Sequence, residues 1–288
     1  MRISELVEQK PYSVSFEVFP PKTQDTVESV TTAARKIADL DPVFMSVTYG
    51  AGGGTSDYTV AVAKDLQDNK GIPMMAHLTC ITSDRARIRD QLQKLQDAGI
   101  RNILALRGDI PEGFEPTELH YRHAIELVKE IKAFDDSFCV AGACYPEAHP
   151  EAATEAEDIA RLKEKVDAGL DFLVTQMFFD NAVFYSYMYR LREAGIQVPV
   201  HPGIMPIVNA AQVKRTLKLS GSQLPQRFRR IIDTFGNDPA AMRQAGIAYA
   251  TDQIIDLFAN GFRTVHVYSM NNPTVAAAIM DNLRDIIK

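Results

Sequence analysis

Eight alternations of strand and helix along 288 residues predict an α/β protein folded as a (β/α)8 TIM barrel. Three observations carry the prediction. Short apolar runs recur eight times, a helix-patterned stretch follows each, and each run ends in residues that a buried core would normally exclude. The endings are Glu17, Thr48-Tyr49, His77-Leu78-Thr79, Arg107-Gly108-Asp109, Cys144-Tyr145-Pro146, Thr175-Gln176, Gly203-Ile204-Met205-Pro206 and Tyr268-Ser269-Met270-Asn271. Strand ends of such a barrel converge on one mouth, so these endings bear on function as well as fold.

The strands are expected at 13–19, 43–49, 73–80, 102–109, 138–145, 172–179, 198–204 and 264–270. In the first, Val14, Phe16 and Val18 alternate with Ser15 and Glu17. In the second, Ser46 and Thr48 oppose Val47 and Tyr49; in the third, Met75, His77 and Thr79 share a face. A helix opens after it at Asp84, with Ile88, Leu92 and Leu95 at helical spacing. In the fourth strand Leu104, Leu106 and Gly108 oppose Ala105, Arg107 and Asp109. After the fifth, Thr154 and Glu157 form a capping box, and Ile159, Leu162 and Val166 share one helix face that stops at Gly169. Between the last two strands the long connection 207–263 holds three helices, the third opening at Asp238-Pro239 as cap and first-turn proline. A weak repeat punctuates the series: Gly71, Gly99, Gly169, Gly195 and Gly261 each close a helical pattern before a strand, as left-handed terminators do. Outward faces lie under helices, where a bare charge is costly. The polar sets, Arg107 and Asp109 among them, are therefore expected to point into the barrel near its carboxyl-end mouth.

Composition bounds the function. With 46% hydrophobic and 24% charged residues, one ample core is expected, and 1–288 reads as a single domain. A net charge of −6 argues against nucleic acid or an anionic membrane as the main partner. Met1 to Lys10 has no signal-peptide core, and no run approaches the roughly 18 apolar residues of a membrane span. Cys80, Cys139 and Cys144 are an odd, sparse set without CxxC spacing, which argues against a disulfide framework or zinc knot and suits a reducing cytoplasm. The stripe Leu224, Phe228, Ile231, Ile232 and Phe235 is expected to be buried inside the monomer, with a homo-oligomer interface as the alternative.

Several familiar motifs fail. Gly50-Ala51-Gly52-Gly53-Gly54-Thr55 is neither GxGxxG nor a Walker loop and reads as a strand-to-helix loop that lets a cofactor approach the backbone. The histidines are scattered; His120 and His123, at i, i+3, are expected on a surface helix and not in a metal site. No strand ending offers a Schiff-base lysine. What remains is Glu17, Asp109, Arg107, His77 and Gln176 around one mouth. Two carboxylates there could serve glycosidase chemistry, or Arg107 could pair with Asp109 or Glu17 as a structural polar plug.

The wording of the endings also resembles one family. Ser15-Phe16-Glu17-Val18-Phe19-Pro20-Pro21-Lys22-Thr23, Val47-Thr48-Tyr49-Gly50-Ala51-Gly52-Gly53, Ala76-His77-Leu78-Thr79-Cys80 and Leu106-Arg107-Gly108-Asp109 resemble the methylenetetrahydrofolate reductases. So do Tyr145-Pro146-Glu147-Ala148-His149-Pro150, Lys165-Val166-Asp167-Ala168-Gly169, Thr175-Gln176-Met177-Phe178-Phe179-Asp180, Pro202-Gly203-Ile204-Met205-Pro206 and His266-Val267-Tyr268-Ser269-Met270-Asn271. The match runs through nearly the whole chain in order and looks like the short bacterial form, without a carboxyl-terminal regulatory domain.

The resemblance implies a flavoprotein of bacterial-type one-carbon metabolism and methionine biosynthesis. It would bind FAD without a Rossmann domain, take hydride from NADH or NADPH, and reduce methylenetetrahydrofolate. It implies that Thr48, Tyr49, His77, Arg107, Gly108, Asp109, His123, Ala124, Tyr145, His149, Asp158 and Lys165 line the flavin. Glu17 matches the general acid that opens the methylene bridge, a task that needs a raised pKa. Asp109 matches an aspartate facing flavin and folate, and its anion suits an iminium cation. Gln176 matches the reader of the pterin edge, with Gln212 a further candidate. Two departures stand out: Asn271-Asn272 replaces a common Asn-Arg, and no phenylalanine occurs around Thr216-Leu217. His123 also stands where an aromatic often precedes Ala124. Rival readings are another flavin barrel, such as a proline-dehydrogenase-like oxidase, and a folate- or flavin-binding protein without turnover.

Overall fold

Every strand pairing in the computed structural model is parallel. The structure describes residues 1–49, 56–110 and 119–287. Its strands are β1 (Ser13–Val18), β2 (Met45–Val47), β3 (Met74–Thr79), β4 (Asn102–Leu106), β5 (Cys139–Cys144), β6 (Phe172–Thr175), β7 (Val200–His201), β8 (Gly203–Ile204) and β9 (Thr264–Tyr268). They lie in the order β7-β6-β5-β4-β3-β2-β1-β9-β8. All eight expected strands are present, each trimmed at one or both ends, and the seventh is broken into β7 and β8 by Pro202.

That break closes the barrel. Proline has no N–H for a ladder, so β7 pairs with β6 before it and β8 with β9 after it. Side chains help to bridge the gap. Gly203 N donates to Thr175 Oγ1 at 2.8 Å, Tyr268 OH donates to Thr175 O at 2.5 Å, and His266 N donates to Pro202 O at 2.8 Å.

Period-2 alternation sorts the strand side chains into two cores. Val14, Phe16, Val18, Ile103, Ala105, Val140 and Leu173 pack outward in one cluster with helix residues. The helices concerned are α2 (Val27–Ala38), α3 (Ser56–Lys70), α4 (Arg85–Asp97), α5 (Ala124–Phe134), α6 (Glu155–Asp167), α7 (Asn181–Glu193), α10 (Pro239–Ala259) and α11 (Pro273–Leu283). Phe44, Met75, Leu104, Cys139, Ala141, Phe172 and Val174 form the inner cluster, together with Ile3 and Val7 of a first helix, α1 (Ile3–Glu8). No sequence expectation covers α1. It plugs the amino-terminal end of the barrel, where Asn102 Oδ1 accepts from Ile3 N at 2.9 Å and Asn102 Nδ2 donates to Met74 O at 3.1 Å.

The helix signals hold. Asp84 and Asp238 cap α4 and α10, Pro239 occupies the first turn, and all five terminator glycines have positive φ, from +68° to +117°. Thr154 accepts from Glu157 N at 3.1 Å, but the reciprocal bond of the box comes from Ala153 N, not Thr154 N. The long connection holds α8 (Ala210–Ser220), α9 (Gln226–Phe235) and α10, as expected. Of the α9 stripe, Phe228 is buried with Phe179 and Tyr249, while Leu224, Ile231 and Ile232 pack partly buried against them. Phe235 stays 40% exposed. Gly246 of α10 meets the β8–α8 connection so closely that an added Cβ would lie 2.8 Å from the Ile207 carbonyl carbon. Gly246→Ala is therefore expected to lower stability by about 1–3 kcal/mol despite alanine's better helix propensity, read from urea unfolding. No helix among the described residues is long and apolar enough to cross a membrane.

Candidate active site

Alternation along β1 aims Glu17 into the barrel, and the register sets it opposite Ser46 on β2 and Tyr268 on β9. Glu17 Oε2 lies 3.4 Å from His77 Nε2 and 3.8 Å from His266 Nε2. Neither contact has hydrogen-bond geometry with Glu17, and His77 Nε2 is buried without a partner. Beneath the carboxyl, His266 Nδ1 bonds with Ser15 Oγ at 2.8 Å and Nε2 with Ser46 Oγ at 3.2 Å. Phe44 stacks on the His266 ring at 5.6 Å, and Phe172 on His201 at 4.7 Å.

These surroundings decide protonation. Burial raises the pKa of Glu17, with attraction to His77 opposing only in part. Burial holds His77 at about 4, Glu17 resisting and His266 adding to the depression. Burial likewise holds His201 and His266 at about 3. At neutral pH the imidazoles are uncharged, and the carboxyl they flank keeps its proton to higher pH than a free glutamate does.

Stability should follow. Between the unfolded histidine value of 6.5 and about pH 4, an unfolded chain binds three histidine protons that the folded barrel refuses. Glu17, with its folded pKa raised, acts in the opposite direction. The three histidines make stability fall as pH drops below 6.5, by at most ~4 kcal/mol per unit before that opposing contribution. Urea midpoints measured from pH 7 to 5 check it; a flat profile would show that the histidines are not shielded.

The end of β1 is clamped. Ser269 Oγ and N both donate to Glu17 O, at 2.5 and 3.3 Å. Asn271 bridges the backbone of Phe19, accepting from its N at 2.8 Å and donating to its O at 3.0 Å. Met270 and Asn271 adopt φ of +51° and +53° to do this, a conformation that asparagine tolerates well. The neighbouring Asn272 caps α11, accepting from Val275 N at 3.2 Å.

A second feature lies outside the strand ring. Between the ends of β4 and β5 and the helices α5 and α6 is a cavity of about 530 Å³ lined by Arg107, His123, Tyr145, His149, Asp158 and Lys165. Here the expected orientation of Arg107 is corrected. Leu104 packs inside the barrel while Ala105, two residues before Arg107, packs in the outer layer, and Arg107 lines the cleft with Ala105. The charge is tolerated because Arg107 lies beyond the last strand residue, Leu106, with 22% of its side chain exposed. Gly108 then breaks the alternation at φ +87°, close under Thr79, where a Cβ would come within 2.9 Å of the threonine Cβ. Asp109 beyond it is exposed, and its charge acts on Arg107 and Tyr145. Arg107 and Asp109 thus do not join Glu17 in the barrel interior as the phase argument expected. Arg107 pairs with neither carboxylate proposed for a plug; its partner is Glu151.

Lys165 reaches over Gly142 to donate to Ala143 O at 2.7 Å. Burial lowers its pKa, and Cys144 and Asp158 oppose. Burial raises the Asp158 carboxyl, whose Oδ2 accepts from His149 N at 3.2 Å. His149 meets the Tyr145 ring edge-on at 4.7 Å. His123 is the cap preceding α5 and Ala124 its first residue; His120 lies outside the helix, so the surface helix expected to carry both histidines is absent.

The remaining expected residues scatter around these two centres. Thr48 is half-buried at the end of β2, and the Tyr49 hydroxyl is buried without a partner. Gln176 is half-buried after β6, its Oε1 accepting from Met177 N at 2.9 Å. Gln212 is exposed on α8. The glycine cluster 50–55 lies outside the described residues. Sequence reasoning set Ser15 and Ser46 on inward faces without assigning them a place in the site; it missed His266 beside Glu17, and Glu151 and Arg161 in the cleft. No group of three or more potential metal ligands occurs among the described residues. All three cysteines are free and buried.

Comparison with known proteins adds independent information. The family model described as methylenetetrahydrofolate reductase matches residues 2–284. The 5,10-methylenetetrahydrofolate reductase of Escherichia coli is 34% identical over 94% of this chain and 90% of its own length. Methylenetetrahydrofolate reductase (NADH) 1 of Arabidopsis thaliana is 35% identical over 98% of this chain and 50% of its own length. Among solved structures, an uncharacterized protein from Clostridium thermocellum, described as binding two copies of 5-methyl-5,6,7,8-tetrahydrofolic acid, superimposes with a TM-score of 0.64. That match covers 99% of both chains at 12% identity, a likeness of fold.

Proposed function

This chain belongs to the methylenetetrahydrofolate reductase family, and from that premise we propose that it reduces 5,10-methylenetetrahydrofolate to 5-methyltetrahydrofolate with NADH or NADPH, by a ping-pong path through FAD. The observation that carries the reading is the Glu17 carboxyl, buried at the barrel mouth between two uncharged imidazoles. Opening the methylene bridge needs a proton on the leaving nitrogen, and a carboxyl whose pKa is raised by burial is suited to deliver it.

The outer cleft fits a flavin dinucleotide. Its volume of about 530 Å³ lies in the range of small-molecule sites, and Arg107, Lys165 and Arg161 on its walls suit a diphosphate. Bound there, FAD would supply a ring that accepts hydride from the nicotinamide and passes it on to the folate. The chain's own residues then divide the work. Arg107 and Lys165 hold the anionic part of the cofactor. Tyr145, His149 and Ala124 wall the cleft. Glu17 Oε2 gives its proton to the departing folate nitrogen, the carbon–nitrogen bond of the bridge breaks to leave an iminium cation, and hydride completes the methyl group. Asp109, exposed at the end of β4, supplies a negative charge that favours this cation. Gln176, with both donor and acceptor, suits the pterin edge, and Gln212 on α8 is the further substrate contact. The three free, buried thiols support a reducing cytoplasm as its place of action.

The visible spectrum of the purified protein, followed anaerobically during NADH addition, tests the reading. Flavin bands should bleach and return when methylenetetrahydrofolate is added. Bleaching without recovery would remove the folate step, and a protein that stays colourless after incubation with FAD would remove the whole reading.

A further inference from the structure

Arg107 already holds an anion. Its Nη1 and Nη2 donate to Glu151 Oε2 and Oε1 at 2.5 and 2.8 Å, and its Nε donates to Gly108 O at 3.3 Å. The fork-to-carboxylate geometry is the one in which a guanidinium also takes two phosphate oxygens. Glu151 is aimed there by its backbone: Glu151 N donates to His149 Nδ1 at 3.1 Å, and Ala152 N donates to His149 O at 2.9 Å. Ala148 enters this turn at φ +65°, and Asp158 anchors it through His149 N. The two partners differ in accessibility: 60% of the Glu151 side chain is exposed against 22% for Arg107. The carboxylate can therefore swing out to water while the guanidinium stays in the cleft wall.

We propose that Glu151 is a built-in competitor for the diphosphate of the cofactor. It occupies the Arg107 fork until a phosphate-bearing ligand displaces it, and so moderates the affinity for phosphate-bearing flavins while leaving uncharged flavins, which do not contest the fork, unaffected. The inference rests on the FAD reading above and deepens it. Glu151 is thus a specificity-determining residue. Because the pair is partly exposed, the effect of removing its charge is modest.

The test compares wild type, Glu151→Gln and Glu151→Asp after flavin removal, titrated with FAD, riboflavin and ADP, following flavin fluorescence or, for ADP, heat. In Glu151→Gln the Kd for FAD and for ADP should fall about fivefold, with riboflavin changed by less than about twofold. Glu151→Asp keeps the charge and should stay near wild type. An FAD Kd that is unchanged or higher in Glu151→Gln overturns the proposal, the latter by showing that the carboxylate orients Arg107 for phosphate. Equal tightening of riboflavin overturns it too, since the effect would not run through the diphosphate. Failure of wild type to bind FAD would count against the FAD reading itself, and the ADP titration would then judge Glu151 alone.

Discussion

Glu17→Gln is expected to leave bleaching of the flavin by NADH intact while slowing folate reduction by about 10²–10⁴-fold. Glutamine keeps the shape and one acceptor oxygen but has no proton to give at the position 3.4 Å from His77. The nicotinamide step needs no proton from this group, so only the second half-reaction should suffer. Stopped-flow measurement of each half-reaction separates the two, and equal losses in both would rule out Glu17 as the folate-side acid. The same variant has a signature in stability. The folded pKa of Glu17 is raised, so its contribution is present at low pH and is lost as pH rises through that value. An amide cannot ionise, and the unfolding midpoint of Glu17→Gln should therefore gain on wild type as pH increases. A constant difference across pH would mean that the carboxyl ionises freely in the fold.

The second large effect is expected at Lys165. Lys165→Met should weaken FAD binding by about 10–100-fold, the range set by losing one charge-assisted hydrogen bond. Methionine matches the stem that crosses Gly142 but carries no cation into the cleft. Folding should be little affected, because the desolvation that depresses the lysine pKa disappears as the bond to Ala143 O is lost. The checks are the flavin-to-protein ratio after purification and the Tm of the flavin-free protein, expected within about 3 °C of wild type. Wild-type flavin retention would show that the ammonium serves the wall of the cleft and not its ligand.

Much of this architecture was readable from local pattern. Glu17 was correctly turned inward because Val14, Phe16 and Val18 claim the outer layer, and two residues per strand period leave no other choice. The α6 cap at Thr154 and the stop at Gly169 were equally local, since each rests on the conformation of a few consecutive residues. The same phase rule failed at Arg107. The rule assumes a helix over every outward position, but this one lies past the end of β4, on the wall of an open cleft. Lys165 and Asp158, which pass for solvated helix residues in the sequence, border that cleft for the same reason.

Local pattern set the order of the eight strand–helix units, the helix ends at residues such as Asp84, Asp238 and Gly169, and the inward carboxyl, because periodicity and capping act within a few residues. The break at Pro202 and the surroundings of that carboxyl depend on long-range contacts. His266 reaches Ser15 and Ser46 through pairings that join chain segments some 220–250 residues apart. The plug α1 has a purpose only once eight strands leave an end to close. The Arg107–Glu151 pair depends on two loops meeting after β4 and β5 are laid side by side. Alternation says which face a side chain takes; closure of the barrel, a property of register across the whole chain, says what it meets there.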